Sequence, residues 1–129
     1  MKLGVDVVKI SRMQTIQNLT LFLSKICTAQ EIDYIQKQCN AKQECTQKTF
    51  ATIAGLYAAK EAVLKALGCG VSQGAKLKDV EILHTKHGKP YVKLWGKTLQ
   101  MFCEQGFGQM EISISHDAGL AVAVCCTSV

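Results

Sequence analysis

The sequence lacks any apolar run approaching the roughly 20 residues that a membrane-spanning helix needs. Its opening segment already contains an acid at Asp6, whereas a secretory signal peptide continues there with apolar residues. No internal repeat, low-complexity segment or domain linker is present either. We therefore expect a cytoplasmic protein that has no membrane partner.

Aromatic residues are scarce, with one Trp, three Tyr and four Phe. No run of five or six basic residues occurs, although 15 Lys and Arg against 10 Asp and Glu leave a net charge of +5. Binding of single-stranded nucleic acid usually combines basic grooves with aromatic platforms, so we expect no nucleic acid partner. The scattered charge favours a nucleotide or an acidic protein instead. A small basic nucleic-acid-binding protein is an alternative, which a steep salt dependence of RNA or DNA binding would support.

No two cysteines are spaced as C-x-x-C, so the sequence offers neither a zinc motif nor a dithiol redox motif. A P-loop pattern is absent as well. Most cysteines lie in apolar or helical stretches, where a free thiol behaves as a small hydrophobic group. We expect reduced, mostly buried thiols in a reducing compartment, at Cys27, Cys39, Cys45, Cys69, Cys103, Cys125 and Cys126.

The chain has the length of one domain, and its hydrophobic fraction of 48% is sufficient for a core. Apolar spacings of three and four predict helices, and segments rich in β-branched residues predict strands. The pattern from Thr28 to Glu31 is a capping box that begins a helix. The order of elements predicts a single α+β domain over residues 1–129, with mostly antiparallel strands packed on a long central helix. The predicted strands are 3–10, 79–85, 90–95, 111–116 and 120–126, the predicted helices are 12–26, 28–39, 49–67 and 97–105, and residues 40–48 are predicted to be a mobile connection.

Two carboxylates lie among apolar residues. Asp6 is in the first predicted strand, where a carboxylate must be paired, hydrogen-bonded or bound to a cation unless that face of the strand meets water. Glu61 lies on an apolar stripe of the long helix, with Lys65 one turn later on the same face. Glu61 and Lys65 form either an ordinary ion pair on the helix or part of a site. Two hard oxygen ligands suit Mg²⁺, which completes its shell with water and substrate phosphate.

Two further features are compatible with a phosphorylated ligand. Gly68, Cys69 and Gly70 end the long helix, where glycines either allow a phosphate to approach the backbone or simply stop the helix. His116 ends a strand that has one polar side, although a histidine in this position is often only a turn residue. Together with the two carboxylates and the lysine, these groups indicate phosphoryl-group transfer.

Four segments follow one another in a distinctive order: Gly4 to Val8 with Arg12, Ala58 to Gly70, Gly88-Lys89-Pro90, and Ser113 to His116. In this order and with these separations they resemble the holo-acyl-carrier-protein synthases, the small trimeric type of the 4'-phosphopantetheinyl transferase superfamily. The resemblance covers essentially the whole chain. Its most specific part is the K-E-A-x-x-K-A-x-G pattern that contains Glu61 and Lys65.

The resemblance implies a 4'-phosphopantetheinyl-transferase-like fold, a homotrimer, and coenzyme A bound in clefts between subunits. It implies that Asp6 and Glu61 hold Mg²⁺, while a serine of an acidic apo acyl-carrier protein attacks the β-phosphate and adenosine 3',5'-bisphosphate leaves, in support of fatty acid biosynthesis. Glu61 would help to deprotonate that serine and Lys65 would neutralise the pyrophosphate, which makes Asp6, Glu61 and Lys65 the catalytic set. The implied coenzyme A-binding residues are Lys65, Gly68, Cys69, Gly70, Lys89, Pro90, Ser115 and His116.

The chain departs from this family at two places. Members commonly carry Arg where Leu56 stands, so another cation must replace that contact with coenzyme A or the affinity falls. The first helix, often rich in Arg for docking the carrier, offers Arg12 and Lys25, with Asn18 and Leu21 between them. The rival interpretation is a non-catalytic module of the same fold that binds a nucleotide or an acidic protein, which would have no need of the catalytic set.

Overall fold

Five strands and five α-helices form the computed structural model of the chain, which describes residues 1–70 and 73–129. A short 3-10 turn at Leu77–Asp79 precedes β2. In chain order the elements are β1 (Lys2–Lys9), α1 (Ser11–Gln14), α2 (Leu19–Ile26), α3 (Ala29–Gln36), α4 (Gln47–Leu67), β2 (Val80–His84), β3 (Pro90–Leu94), α5 (Gly96–Glu104), β4 (Gln109–Asp117) and β5 (Leu120–Ser128).

The strands form two separate antiparallel groups. In the larger sheet β5 lies between β1 and β4, so that Asp6, Ala123 and Ile114 form one row across it. Strands β2 and β3 form a hairpin of their own. Helix α4 packs against all three strands of the larger sheet, and most of its residues are buried. The predicted α+β fold, with antiparallel strands on a long central helix, is therefore confirmed.

Strand β1 approaches the backbone of α4 closely at Gly4. A Cβ atom on Gly4 would lie 1.9 Å from the carbonyl oxygen of Ala62 and 2.6 Å from the amide nitrogen of Ala66. These are backbone atoms, so they cannot move aside as the end of a flexible side chain can. Glycine is therefore required for this approach. Since residues two apart share one face of a strand, the approach also directs Asp6 towards α4.

Replacing Gly4 by Ala should destabilise the fold. The added methyl group must separate β1 from α4, and overpacking of this kind costs about 1–3 kcal/mol, or more when backbone is displaced. Urea unfolding would measure the loss. Gly108→Ala is a suitable control, because a Cβ there would come no closer than 3.5 Å to Val129. Equal stability of the Gly4→Ala protein and the wild type would contradict the described contact.

The helix predicted over residues 12–26 is interrupted in the structure, which divides it into α1 and α2. The side-chain oxygen of Asn18 accepts a hydrogen bond from the amide of Leu21 at 3.0 Å and so caps a new helix. The hydroxyl of Thr15 donates to the carbonyl of Arg12 at 3.0 Å and closes the first one. Short polar side chains compete in this way with helical backbone bonds, and the apolar spacing alone did not indicate the break.

The segment predicted as a mobile connection contains a hydrogen-bonded turn. The side-chain oxygen of Asn40 accepts hydrogen bonds from the amides of Lys42 and Glu44, both at 2.9 Å. Helix α4 begins at Gln47, two residues earlier than predicted. Thr49 lies in the first turn of α4 and is fully buried. Its hydroxyl donates a hydrogen bond to the backbone carbonyl oxygen of Gln38, just after α3, at 2.9 Å.

A buried ion pair ties α4 to α3 and β2. The Nζ atom of Lys60 lies 2.8 Å from Oε1 of Glu31, and both side chains are 0% exposed. Lys60 also donates to the backbone carbonyls of Leu77 and Val80, at 3.0 and 2.5 Å. The other oxygen of Glu31 accepts from the amide of Ile82 at 3.0 Å. Every polar atom of the pair is therefore compensated, as buried charges must be.

All seven cysteines are free in the structure. Cys27, Cys69 and Cys125 are buried, whereas Cys45 and Cys103 are exposed, so the prediction of mostly buried thiols is only partly right. Burial raises the pKa of Cys27 and of Cys125 to about 12, and both therefore remain protonated thiols at neutral pH. Within residues 1–70 and 73–129, no helix combines the length and apolar character needed to span a bilayer.

Candidate active site

Glu61 lies on the accessible side of α4. The helix is buried on most sides, but Tyr57, Glu61 and Lys65, spaced four residues apart, are half-buried or exposed. The apolar stripe predicted around Glu61 is only partly accessible, because Ala54, Ala58 and Leu64 are buried whereas Phe50 and Tyr57 are half-buried. The fully buried charge on α4 is Lys60, the residue before it.

Lys65 pairs with Asp6 of β1. Its Nζ atom is 3.0 Å from Oδ1 of Asp6 and donates to the carbonyl oxygen of Val5 at 2.9 Å. The ordinary Glu61–Lys65 ion pair, which the sequence left open, is therefore not formed. Glu61 nevertheless lies one helical turn before Lys65 on the same side of α4. Strand β1 and helix α4 together place the Asp6 carboxylate at the ammonium group of Lys65, with Glu61 one helical turn away.

The pair of Asp6 and Glu61 fits a hard divalent cation. Both offer carboxylate oxygens, and Glu61 has no ion-pair partner within the described residues. That part of the chain contains no group of three or more His, Cys, Asp or Glu residues able to hold a metal. Structural zinc and calcium sites need more protein ligands than this. Mg²⁺ is commonly bound through one or two carboxylates, with water and substrate phosphate in the other positions.

A cleft of about 850 Å³ opens beside the first half of α4, next to the end of β1. Its volume is within the range of small-molecule sites, roughly 300–1,000 Å³. Leu56 in its wall precedes Glu61 by five residues, or roughly 8 Å along a helix. Lys9 in its wall follows Asp6 by three residues, or roughly 10 Å along a strand. Asp6, Glu61 and Lys65 do not line the cleft themselves, so a ligand would have to extend beyond it to reach the two carboxylates.

The structure separates the four predicted coenzyme A-binding residues that lie in two adjacent pairs, Lys89 with Pro90 and Ser115 with His116. Pro90 and His116 line the cleft beside α4. Successive side chains of β4 point to opposite faces of the sheet. Ser115, the neighbour of His116, therefore lies on the outer face, away from α4. Lys89 forms an exposed ion pair with Glu111 on that outer face, at 3.5 Å. The chain therefore brings two of these four predicted residues, Pro90 and His116, to the cleft.

Gly68, Cys69 and Gly70 lie beyond the other end of α4, past Lys65. Gly68 ends the helix in the left-handed conformation with φ of 71°, which favours glycine. Cys69 is buried, and desolvation raises the pKa of its thiol. Among residues 1–70 and 73–129, no atom lies within 4 Å of a Cβ on Gly68. The contribution of these residues to coenzyme A binding stays a prediction.

The two predicted docking residues lie on the surface formed by α1 and α2. The guanidinium carbon of Arg12 is 5.6 Å from the ring centroid of Tyr57, one turn before Glu61 on α4. Phe22 of α2 contacts the same ring, with the centroids 6.1 Å apart. Lys25 is exposed in the last turn of α2. This surface therefore adjoins the side of α4 that carries Glu61.

Sequence reasoning missed most of the cleft wall. Tyr34 of α3 and His84 of β2 stack with their centroids 4.0 Å apart and both line the cleft. Burial lowers the pKa of His84 below its ordinary value, so its imidazole is neutral at pH 7. Lys9 and Lys48 also line the cleft. No spacing in the sequence links these residues, because they come from separate elements that meet only in the fold.

Residues 2–125 match the 4'-phosphopantetheinyl transferase superfamily. The holo-[acyl-carrier-protein] synthase of Geotalea daltonii is 39% identical over 123 residues, which cover 94% of this chain and 92% of that protein. The protein of the same name from Caldicellulosiruptor bescii is 40% identical over 95% of this chain and 93% of its own. The crystal structure of the Helicobacter pylori holo-[acyl-carrier-protein] synthase in complex with coenzyme A has a TM-score of 0.79 at 28% identity, covering 98% of this chain and 99% of that one. The chain therefore belongs to the holo-[acyl-carrier-protein] synthases of the 4'-phosphopantetheinyl transferase superfamily.

Proposed function

We propose that this protein transfers the 4'-phosphopantetheine group of coenzyme A to a serine of an apo acyl-carrier protein and releases adenosine 3',5'-bisphosphate. The observation that carries the proposal is the Asp6–Lys65 contact, with Glu61 one helical turn before Lys65. The coenzyme A complex of the Helicobacter pylori relative supports the same ligand here. Holo carrier protein made in this way would serve fatty acid biosynthesis.

Asp6 and Glu61 share the binding of Mg²⁺ in this proposal, and each has a further role of its own. Both would hold Mg²⁺, which when bound would neutralise the pyrophosphate and polarise its phosphoryl oxygens. Glu61, which has no cation partner in the described residues, would also accept the proton of the serine hydroxyl, either directly or through water. Asp6 additionally fixes the ammonium group of Lys65 at 3.0 Å.

Lys65 is suited to neutralise the leaving group. An ammonium group has three N–H donors, and the contacts with Asp6 and Val5 use two of them. One donor therefore remains for a phosphate oxygen of coenzyme A. Negative charge grows on the leaving bisphosphate as the P–O bond breaks, and a fixed cation at that point lowers the barrier.

Helix α4 sets the order of the coenzyme A contacts. The adenosine end would occupy the cleft, against Pro90 and His116, and the pyrophosphate would lie at the catalytic set. The pantetheine arm would continue towards Gly68–Gly70 at the C-terminal end of the helix. Lys89 and Ser115 lie on the outer face of the sheet and would contact coenzyme A held by a neighbouring subunit.

The outer face of the larger sheet supports a homotrimer. Leu3, Val5 and Val7 of β1 are 65%, 53% and 54% exposed, and Val124, opposite Val5 on β5, is 42% exposed. A continuous apolar face of this kind marks an interface. When this face of one copy meets a different surface of the next copy, the copies can close into a ring. Three copies would place this face and its flanking polar residues beside the cleft of a neighbour.

Val5→Lys should therefore dissociate the trimer and lower the transfer rate. Light scattering of the wild type should give three times the chain mass of 14.1 kDa, whereas an ammonium group on the apolar face would favour single chains. Leu99→Lys is the matched control, because Leu99 is exposed on α5, outside this sheet. A Val5→Lys protein that remains trimeric would exclude the outer face as the interface.

The surface of α1 and α2 is the proposed docking site for the acidic carrier protein. Arg12 and Lys25 supply the positive charge, and Leu21 between them is 50% exposed. The contact of Arg12 with Tyr57 connects this surface to the side of α4 that carries Glu61. A carrier docked there would present its serine to the catalytic set. We place the reaction in the cytoplasm, where free cysteines such as the seven of this chain stay reduced.

Metal removal tests the proposal. The protein is incubated with apo acyl-carrier protein and coenzyme A, and release of adenosine 3',5'-bisphosphate is followed by chromatography. An excess of chelator should abolish the release, and added Mg²⁺ should restore it. A non-catalytic binding module would bind the nucleotide without releasing product under either condition. Undiminished release in excess chelator would remove the metal from the mechanism.

A further inference from the structure

The hydrogen-bonded turn between α3 and α4 brings two cysteines together. The amide of Asn40 donates to the carbonyl oxygen of Glu44 at 3.0 Å and closes the turn. The side-chain oxygen of Asn40 accepts two further backbone amides of the turn, both at 2.9 Å, and so fixes its shape. Cys39 and Cys45 are the residues immediately outside the closing bond, one on each side of it.

A second cross-link lies on the other side of the two cysteines. The hydroxyl of the buried Thr49 donates to the carbonyl oxygen of Gln38 at 2.9 Å and accepts from the amide of Thr46 at 3.0 Å. Cys39 and Cys45 therefore lie between two places at which the chain before the turn is tied to the chain after it. Residues directly opposed across antiparallel backbone have Cα atoms about 4.5–5.5 Å apart, and disulfides form at roughly 4.4–6.8 Å. Backbone spacing of this kind suits a disulfide.

The two thiols also interact with each other. Desolvation raises the pKa of the Cys45 thiol, and the neighbouring Cys39 raises it further through its charge and a side-chain hydrogen bond. Cys45 is exposed whereas Cys39 is half-buried, so a small molecule in solution reaches Cys45 first. Because the thiolate is the attacking species, the raised pKa makes the pair slow to react at neutral pH and faster as the pH rises.

We propose that Cys39 and Cys45 are a reversible dithiol–disulfide pair that low-molecular-weight disulfides, such as glutathione disulfide, oxidise. The thiolate of Cys45 attacks one sulfur of the small disulfide, which forms a mixed disulfide and releases one small thiol. The thiolate of Cys39 then attacks the sulfur of Cys45, so that the Cys39–Cys45 bond forms and the second small thiol leaves. The protein gives up two electrons and two protons, and the small disulfide takes them up as two thiols.

The pair lies beside the cleft. Gln38 immediately before Cys39 and Gln47 just after Cys45 both line the cleft wall. A disulfide across the turn closes a ring and removes conformational freedom from the unfolded chain, which stabilises the folded state. In a reducing compartment the pair rests as two thiols. When small disulfides accumulate, it stabilises this part of the wall and withholds both sulfurs from irreversible oxidation to sulfinic and sulfonic acids.

Oxidation of the native protein by glutathione disulfide, followed by alkylation and peptide mapping, tests the pair. Trypsin cleaves after Lys42, between the two cysteines, so a Cys39–Cys45 disulfide holds two peptides together until it is reduced. The oxidised wild type should give these linked peptides. Its melting temperature should rise by about 5 °C and return to the starting value after treatment with dithiothreitol. Cys39→Ser should instead retain glutathione on Cys45, because the thiol that resolves the mixed disulfide is gone.

Cys103→Ser is the matched control, since Cys103 is also exposed but lies on α5. This variant should give the same linked peptides and the same rise in melting temperature as the wild type. Glutathione retained on Cys45 of the wild type, without linked peptides, would overturn the proposal. Linked peptides with an unchanged or lowered melting temperature would overturn the stabilising role. The pair takes no part in phosphopantetheine transfer, so neither result bears on the proposed function.

Discussion

Glu61→Gln should reduce the turnover of phosphopantetheine transfer by about a hundredfold or more. Loss of one acid–base or electrostatic group at a reacting centre typically has this magnitude. The amide keeps the size of the side chain but can neither accept the serine proton nor supply a carboxylate to Mg²⁺. Because Glu61 is half-buried and lacks an ion-pair partner within the described residues, the free energy of unfolding should change by no more than about 0.5 kcal/mol.

Initial rates and thermal melts of the same preparations separate a catalytic from a structural role. Glu104→Gln is the matched control, since Glu104 is exposed at the end of α5, and it should leave both quantities unchanged. Lys65→Ala should also slow transfer and weaken coenzyme A binding, because it removes a cation that Asp6 holds in place. Near-wild-type rates together with lowered melting temperatures would mean that these residues serve the fold rather than the reaction.

Lys60→Met and Glu31→Gln should each destabilise the protein by about 3–5 kcal/mol, without a direct effect on the catalytic set. Removing one partner of a buried ion pair leaves the other charge uncompensated, which typically costs this much. Lys60 and Glu31 are both 0% exposed, so water cannot replace the lost partner. The double variant should lose less than the sum of the two single losses, because neither charge then remains.

A double-mutant cycle in urea measures this coupling. Gln keeps only one of the two acceptor oxygens, so either Thr28 or Ile82 loses its acceptor at position 31, and the cycle reports the charge together with that hydrogen bond. Lys37→Met with Asp33→Asn is the control cycle, since that pair is 71% and 64% exposed and exposed pairs couple weakly. Strictly additive losses at positions 31 and 60 would contradict a stabilising ion pair.

Features that depend on neighbouring residues in the sequence were predictable. The capping box of Thr28 and Glu31 is present with both of its hydrogen bonds, because a cap is a local interaction over four residues. The long helix, the hairpin and the final strand pair are also local patterns, and each agrees with the structure to within a few residues. The family motif around Glu61 was visible for the same reason.

Features that depend on packing between distant elements were not predictable. Lys60 and Glu61 are adjacent in one motif, but only the position of α3 and β2 decides that Lys60 is buried with Glu31. Likewise, Lys65 is a helical neighbour of Glu61, yet the close approach at Gly4 gives it Asp6 as its partner. The orientation of Ser115, away from His116, follows from the alternation of β4 and from the side on which α4 packs.

The most direct measurement of the central claim is the mass of an apo acyl-carrier protein after incubation with this protein, coenzyme A and Mg²⁺. The account predicts that the carrier gains one phosphopantetheinyl group, that peptide mapping locates it on a single serine, and that Asp6→Asn and Glu61→Gln preparations yield almost none in the same time. An unmodified carrier in the presence of the folded wild type, or modification by both variants equal to that by the wild type, would contradict it.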